Sequence, residues 1–351
     1  MLRLLAVLFL ISNPALAANL EFTEDLRIET AGTDEEFGQI RDVLVSDDGT
    51  LYVLDTGFGI IHAFDDDGQY LRSFGQTGEG PGDIPERILT VNLDRAGNLL
   101  LAGARSSISR IDGHGELVAS IPLDLVPVPR SIFELPDGTI GLVYIPMNME
   151  PGVPIIPEFV HLYTTEGEPV ASFAESSWWS DEYPDRWARS ILGASADTDP
   201  RNGEILLLQW NPFELRRYDA TGQLINTVSN GLDGFSFPPS TPENSGAGET
   251  YYAGPGNSTR LNPTMSGDIF VGATRMHEGD RDRSKWDEPG FRIRWQQGLF
   301  VFGPDLQLKA ERRIDDVPHI IATDHENRLW ATDYDEEGIP FLVRYRYEIT
   351  D

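Results

Sequence analysis

The stretch IRDVLVSDDGTLYVLDTGFGIIHAFDDDGQYLRSF, Ile40–Phe74, decides how the rest of the chain is interpreted. It contains four short runs rich in Val, Ile, Leu, Tyr and Phe, and the turn pairs Asp48-Gly49 and Asp67-Gly68 interrupt them. Short apolar runs joined by tight turns are typical of antiparallel strands. The stretch therefore predicts a four-stranded meander, which must bury its apolar faces against neighbouring units.

The same pattern of turn and strand recurs five more times along the chain. The matching segments are AGNLLLAG at 96–103, LPDGTIGLVY at 135–144, NGEILLLQW at 202–210, SGDIFVGA at 266–273 and ENRLWATD at 326–333. Supersecondary units that repeat in this way bury their apolar faces by packing on one another. The sequence therefore predicts six copies of one meander.

The sixth copy ends at Asp351 with no room for an outermost strand, and a segment before the first copy can supply it. Residues 20–30, LEFTEDLRIET, alternate apolar and polar side chains as a strand does. Pairing of this segment with the sixth copy would close a ring and leave no sheet edge bare. We predict an all-β fold, a six-bladed β-propeller of four-stranded antiparallel blades. Residues 18–351 would form one domain, in which the N-terminal strand completes blade six.

The first seventeen residues have the pattern of a secretory signal peptide. Arg3 precedes a short apolar run, Leu4–Ile11, and alanines stand at the cleavage-motif positions Ala15 and Ala17. The run is too short to span a bilayer. The chain has no cysteine, so disulfides are not expected. The sequence predicts a secreted protein, periplasmic or extracellular, with no membrane span.

The chain is strongly acidic, and its few basic residues are almost all arginines. It carries 57 Asp and Glu against 27 Lys and Arg, for a formal net charge of −30. Only Lys285 and Lys309 are lysines. Such a charge repels nucleic acids and anionic membranes, so neither is expected as a partner.

The first strand of each copy opens with a basic residue. These residues are Arg41, Arg87, Arg130, Arg189, Arg260 and His319. Counted back from the turn glycine or its equivalent, Arg41, Arg130 and His319 share one offset. Arg260 is displaced by one residue and Arg87 by two, and Arg189 aligns only if the fourth turn contains an insertion. Because first strands line the channel of a propeller, we expect these side chains to converge at one mouth.

Two interpretations of such a basic cluster are open at this point. At about 8 Å and an effective dielectric of roughly 20, each pair of like charges costs about 2 kcal/mol, so something must offset the repulsion. Acids such as Asp42, Asp55 and Glu86 could pair with the arginines and tie the blades together. Alternatively, the mouth binds an anionic ligand.

Most insertions leave the repeat at the end where the first strands begin. The richest in aromatic residues, 174–188, contains Trp178, Trp179, Tyr183 and Trp187. Arginine forks hold carboxylate, sulfate or phosphate, and Trp faces stack on sugars or rings. We therefore predict that Trp178, Trp179 and Trp187 form the stacking wall of a site for an anionic small molecule, saccharide or peptide group. The alternatives are that each Trp only covers a blade core, or that the insertions dock a protein partner.

The segment FGQTGEGPGDIPERILTVNLDRAGNLLLAG, 74–103, resembles the blade junction of bacterial six-bladed propellers of the NHL-like and TolB-like group. The resemblance covers residues 36–121 clearly and the rest by pattern. It implies the fold and a toroidal binding scaffold, which in that group hosts binders, lyases and hydrolases. The chain departs from the NHL pattern at Gly57-Phe58-Gly59, where the group usually has Asn-x-Arg.

Enzymes of similar architecture suggest what a catalytic version would need. A zinc site in the channel needs several histidines, and only His319 of the six occupies a channel position. Lactonase-type propellers hold calcium through channel Glu, Asn and Asp, and the candidates here are Asn92, Glu134, Asn262 and Asp324. Our first hypothesis is therefore a binding protein with no cofactor and no catalytic residues. The alternatives are a divalent-metal-dependent lactonase or lyase and a protein-docking module.

Overall fold

The structure is a computed structural model, and in its described part every regular element is a β-strand. It describes residues 18–32, 35–78, 83–84, 88–103, 107–123, 129–144, 158–175, 193–210, 213–230, 232, 235, 243–245, 248–250, 256–276, 295–313 and 319–350. The predicted signal peptide, residues 1–17, lies outside this set. No helix in these ranges is long and apolar enough to cross a membrane.

Four of the repeated units form separate four-stranded antiparallel sheets. The first unit is β2 (Ile40–Val45), β3 (Leu51–Asp55), β4 (Ile60–Phe64) and β5 (Tyr70–Phe74). The second is β6 (Ile88–Leu93), β7 (Leu99–Gly103), β8 (Ser107–Ile111) and β9 (Leu117–Pro122). The third is β10 (Pro129–Glu134), β11 (Ile140–Tyr144), β12 (Glu158–Tyr163) and β13 (Pro169–Glu175). The fourth is β14 (Ala194–Thr198), β15 (Ile205–Gln209), β16 (Glu214–Tyr218) and β17 (Leu224–Val228). A short hairpin follows, β18 (Glu243–Ser245) and β19 (Gly248–Thr250).

The remaining two units share one eight-stranded sheet, which differs from the separate fifth and sixth sheets expected from the sequence. The fifth unit is β20 (Gly256–Pro263), β21 (Ile269–Met276), β22 (Trp295–Phe302) and β23 (Leu308–Arg312). The sixth is β24 (His319–Thr323), β25 (Leu329–Tyr334), β26 (Pro340–Thr350) and the N-terminal β1 (Ala18–Ile28).

The N-terminal strand joins these two units because it is longer than predicted at its start. β1 runs antiparallel to β26, from Asn19 opposite Thr350 to Ile28 opposite Leu342, which is the pairing expected of the closing strand. β1 begins at Ala18 rather than Leu20, and its first two residues also pair in parallel with Ala310 and Glu311 of β23. Two residue pairs are thus enough to merge two sheets.

The Asp-Gly pairs lie in tight turns, as their composition predicts: Asp48-Gly49 between the first and second strands of the first unit and Asp67-Gly68 between its third and fourth. Gly49 has a φ of 86° and donates its N–H to the carbonyl of Ser46 at 2.9 Å. In the sixth unit Asn327 takes the same place with a φ of 64° and donates to Asp324. Glycine and asparagine are the residues that best tolerate this left-handed backbone.

The core of the described structure lies between successive units rather than within one. Val53 of the first unit packs in one cluster with Trp330 of the sixth, and Phe133 of the third packs with Leu207 of the fourth. Equivalent clusters fill the other junctions. Each sheet therefore buries both faces against its neighbours, which is the propeller arrangement.

The first strands of the units contact one another in ring order, β2, β6, β10, β14, β20 and β24, and β24 contacts β2. Charged side chains fasten the junction between the sixth and first units. Arg328 pairs with Asp66, and Arg344 donates to the Asp66 carbonyl at 2.7 Å. The inner strands therefore enclose a central channel, which contains the candidate site.

Candidate functional site

Arg41 and Arg130 each lie at a β-bulge near the start of the first strand of their unit. In β2 the register shifts between Ile40 and Asp42, and in β10 it shifts between Pro129 and Ser131. Arg41 and Arg130 are therefore the extra residues of two equivalent β-bulges. A bulge turns a side chain away from its ladder position. Both side chains are exposed, and both line the channel.

The channel widens into a cavity of about 490 Å³ at the end where the inner strands begin. All six inner strands contribute to its wall. The arginines in the wall are Arg41, Arg130 and Arg260, and the carboxylates are Asp42 and Asp197. The structure thus brings together three of the predicted basic residues. It adds Asp197, which sequence reasoning missed.

Arg260 is displaced by one residue from the offset of Arg41, and the structure gives the reason. The bulge of β20 falls at Thr259, so Arg260 is the residue after it and is equivalent to Asp42. Its Nη1 lies 3.4 Å from Asp42 Oδ1 across the channel, and its Nη2 donates to the Arg41 carbonyl at 3.3 Å. Burial raises the pKa of Asp42, and the Arg260 charge opposes that rise.

Arg130 stands beside an aromatic side chain, Trp210, whose proximity the sequence did not reveal. Its guanidinium lies 5.9 Å from the centre of the Trp210 ring, and Trp210 Nε1 donates to Ser195 Oγ at 3.3 Å. Burial lowers the pKa of Arg130, and the positive charge of Arg41 lowers it by a smaller amount. Among the residues that the structure describes, no carboxylate lies within ion-pair distance of Arg130. Its charge therefore lacks an acidic partner there.

His319 was grouped with the basic residues of the mouth because of its position in the repeat, but its protonation differs from theirs. Burial, and after it the charge of Arg260, lowers the pKa of His319 to about 4, although the residue is partly accessible to solvent. Its Nδ1 lies 3.3 Å from Thr332 Oγ1. His319 is consequently neutral near pH 7, where it adds no positive charge to the mouth. A pH-dependent contact through His319 is confined to acidic conditions.

Five residues line both this cavity and a second one: Val45, Asn92, Leu93, Asp197 and Thr323. We call this shared part of the channel the waist, and its polar side chains are those of Asn92, Asp197 and Thr323. The Thr198 N–H donates to Asp197 Oδ1 at 2.8 Å, and this bond and the Asn92 amide both act to lower the pKa of the carboxyl. Burial, with a further contribution from Asp42, raises the pKa of Asp197 to about 6. Asp197 could have been recognised from the sequence, because it stands two residues before Asp199, the residue that opens the turn after β14.

The second cavity, of about 680 Å³, opens at the turn end, and three of the four calcium candidates, Asn92, Glu134 and Asp324, line it. Glu134 is held by Arg110 at 2.8 Å, and Asp324 by Arg328 at 2.7 Å. The Asn92 amide donates to the Ile132 carbonyl at 2.8 Å. In the described ranges no three His, Asp or Glu side chains lie close enough together to hold a metal ion. Both acids of the candidate calcium set are therefore paired with arginines in this structure.

The other predicted contacts are either internal or outside the described residues. Asp55, considered as a partner of the arginines, instead accepts the N–H groups of Gly38, Gln39 and Gly57 at 2.6 to 2.8 Å. Six of the residues singled out from the sequence lie outside the described set: Glu86, Arg87, Trp178, Trp179, Trp187 and Arg189.

Comparison with known proteins supports the fold and leaves the chemistry open. No protein-family model and no curated protein matches the chain. A DUF4221 family member from Bacteroides vulgatus is 12% identical with a TM-score of 0.65, covering 95% of this chain and 100% of that one. A protein from Bacteroides fragilis, described as exported, is 12% identical with a TM-score of 0.57, covering 95% and 97%. A streptogramin B lyase is 11% identical with a TM-score of 0.50, covering 93% and 98%. At such identities the likeness concerns the fold alone.

Proposed function

We propose that this protein is a binding protein for anionic small molecules, with its site at the channel mouth where the inner strands begin. We further propose that the eight-stranded sheet represents two blades of a six-bladed propeller, as in the NHL-like and TolB-like group that the sequence resembles; its order, with the fifth and sixth units side by side, supports this count. One observation carries the proposal. Arg130 lines the same cavity as Arg41, yet it has no carboxylate partner among the described residues.

The balance of charge in the cavity favours an anion. Asp42 is already engaged by Arg260, so it does not neutralise Arg130. Two guanidinium groups that face a confined space repel each other, and a bound anion relieves that repulsion. Guanidinium forks bind carboxylate and phosphate through two parallel hydrogen bonds. The adjacent Trp210 ring offers an apolar face for the rest of the ligand.

Because the whole chain is strongly acidic, an anion can bind only where positive side chains are clustered. A chain with a net charge of −30 repels anions at long range, although at about 0.15 M salt this repulsion is screened beyond about 8 Å. Binding of an anion at physiological salt therefore depends on groups within contact distance. Arg41 and Arg130 are such groups.

The direct test measures binding of glucuronate to the full chain at about 0.15 M NaCl, with glucose as the uncharged control. We expect glucuronate, but not glucose, to raise the Tm. Arg130→Gln should weaken binding by about ten-fold or more, as expected for loss of a charge-assisted hydrogen bond. Arg346→Gln is the matched control, because it removes the same charge from a side chain that is 70% exposed on β26. Equal responses of both variants would contradict the proposal.

A second candidate function is catalysis of the lyase type. The observation that favours it is Asp197, a channel carboxylate whose pKa of about 6 suits a general base near neutral pH. The streptogramin B lyase with a similar fold makes this class worth testing. Loss of turnover in Asp197→Asn, with anion binding retained, would support an enzyme over a binding protein. A protein-docking function predicts no protection by small anions at all.

Export is also a proposal, and it rests on the N-terminal sequence. Cleavage after Ala17 would leave β1 intact, since that strand begins at Ala18. The mature protein should then start at Ala18 and reach the periplasm or the medium. Mass determination of the protein recovered from cell fractions tests this expectation.

A further inference from the structure

We propose that the ligand is a dipolar ion, whose anionic group binds Arg41 and Arg130 and whose ammonium group binds Asp197 at the waist. This inference rests on the proposed function and specifies its ligand class. It follows from the carboxylate at the waist, which the binding of a simple anion does not use.

Asp197 lacks a cationic partner within the described part of the chain. The Thr198 N–H donates to its Oδ1 at 2.8 Å, and the Asn92 amide acts to lower its pKa, but both are neutral groups. The like charge of Asp42 also acts on it and raises its pKa further. A carboxylate held away from bulk water without a counterion is costly, and a bound cation relieves the cost. The waist therefore favours a positive group.

The two charged groups of the site lie at different depths along the channel. Ala196 donates its N–H to Ser131 Oγ at 3.1 Å, which sets β14 level with β10. Arg130 comes one residue before Ser131, and Asp197 one residue after Ala196. Two steps along a strand correspond to about 7 Å. The anionic and cationic groups of the ligand are accordingly expected to be separated by several bonds.

A simple carboxylate would satisfy only half of this arrangement. Its anionic end would meet Arg130 and its apolar part could lie against Trp210, but a part that reached the waist would meet the Asp197 carboxylate with no positive group to offer it. An ammonium group needs up to three acceptors. The Asp197 carboxylate and the neighbouring Thr323 hydroxyl can supply them at the waist.

The experiment compares three probes on the full chain: butyrate, butylamine and 4-aminobutyrate. We expect 4-aminobutyrate to bind about ten-fold more tightly than butyrate, and butylamine to bind weakly. Along the series glycine, β-alanine and 4-aminobutyrate, affinity should rise with the separation of the two charges. Equal affinity for butyrate and 4-aminobutyrate would overturn the inference while leaving the anion site in place.

Variants separate this inference from the function on which it rests. Asp197→Asn should abolish the advantage of 4-aminobutyrate over butyrate and leave butyrate binding unchanged or stronger. Arg130→Gln should weaken both ligands, and Arg346→Gln neither. An advantage that survives in Asp197→Asn would refute the role of the waist. Failure of every carboxylate to bind would refute the anion site and, with it, the dipolar ligand. The probe series on the unmodified chain gives an answer even if Asp197→Asn does not fold.

Discussion

Arg260 reaches across the channel to Asp42, with Nη1 3.4 Å from Oδ1, although the two residues belong to the fifth and first units. The same guanidinium donates to the Arg41 carbonyl at 3.3 Å. The contact fixes one side of the mouth and neutralises one of the three arginines that line it among the described residues. The uncompensated charge is thereby left on the side of Arg130.

Removing the Asp42 charge should strengthen anion binding. In Asp42→Asn the mouth loses a negative charge and Arg260 is released, so we expect affinity for glucuronate to rise by about three- to ten-fold. Stability should change by no more than about 1 kcal/mol, because burial already penalises the ionised carboxylate and offsets the lost pair. Calorimetric titration and urea unfolding measure the two effects. Weaker binding in this variant would mean that Asp42 holds Arg260 in the orientation that the ligand needs.

Anion binding should depend on the protonation of Asp197. Its pKa is raised to about 6, so it loses its negative charge as the pH falls through that value. Affinity for a strong anion such as sulfate should therefore increase between about pH 7.5 and pH 5. A raised pKa also favours the folded state at low pH, and this contribution is lost as the pH rises through about 6. Asp197→Asn should remove the Asp197-dependent part of both effects, which titrations at several pH values would show.

The carboxylate of Asp55 should stabilise the fold in the opposite pH range. Burial alone would raise its pKa, but His62 and three backbone N–H groups lower it from 3.8 to about 2. Such a shift corresponds to about 2 kcal/mol of stability, present above pH 3.8 and lost as the pH falls towards 2. Asp55→Asn should lose at least this amount near neutral pH. Chemical unfolding at neutral and acidic pH should show the difference shrinking with acid.

The closing strand should contribute strongly to stability. Leu20 of β1 is 3% exposed and packs against Phe270 of the fifth unit and Leu329 of the sixth. Leu20→Ala should cost about 2–4 kcal/mol in urea unfolding. Leu71→Ala is the control, because that leucine is 45% exposed on the outer strand β5 and should cost less than about 1 kcal/mol. Equal small losses would indicate that β1 adds little to the closed ring.

The repeat made much of the channel mouth predictable. Arg41 and Arg130 share an offset from their turns because each turn fixes the register of the strand before it, and the same bulge recurs at the same distance. Arg260 departs by one residue because the bulge falls on Thr259. Local turn chemistry therefore carries information about which side chains reach the channel. The pairing of the N-terminal strand with β26 was predictable for a similar reason, since the sixth copy lacked a strand.

Other features of the site and of the fold were not predictable, mainly because they depend on contacts between units that are distant in sequence. Asp197 was missed because the fourth first strand was placed at Arg189, whereas β14 begins at Ala194. Trp210 follows the second strand, and its approach to Arg130 is a contact between the third and fourth units. The merged eight-stranded sheet depends on the reach of Ala18 to Ala310. The sequence also did not show that Arg110 and Arg328 pair with Glu134 and Asp324, the two acids among the calcium candidates.

The pairing of Asn19 with Thr350 imposes an order on folding. During synthesis β1 emerges first, but its main partner, β26, is made after every other strand. The first four units can form as the nascent chain grows, whereas the last junction must wait for translation to finish. Long-range pairing of this kind slows folding and leaves a sheet edge open to chaperones. A chain shortened within β26 should keep that edge exposed and aggregate.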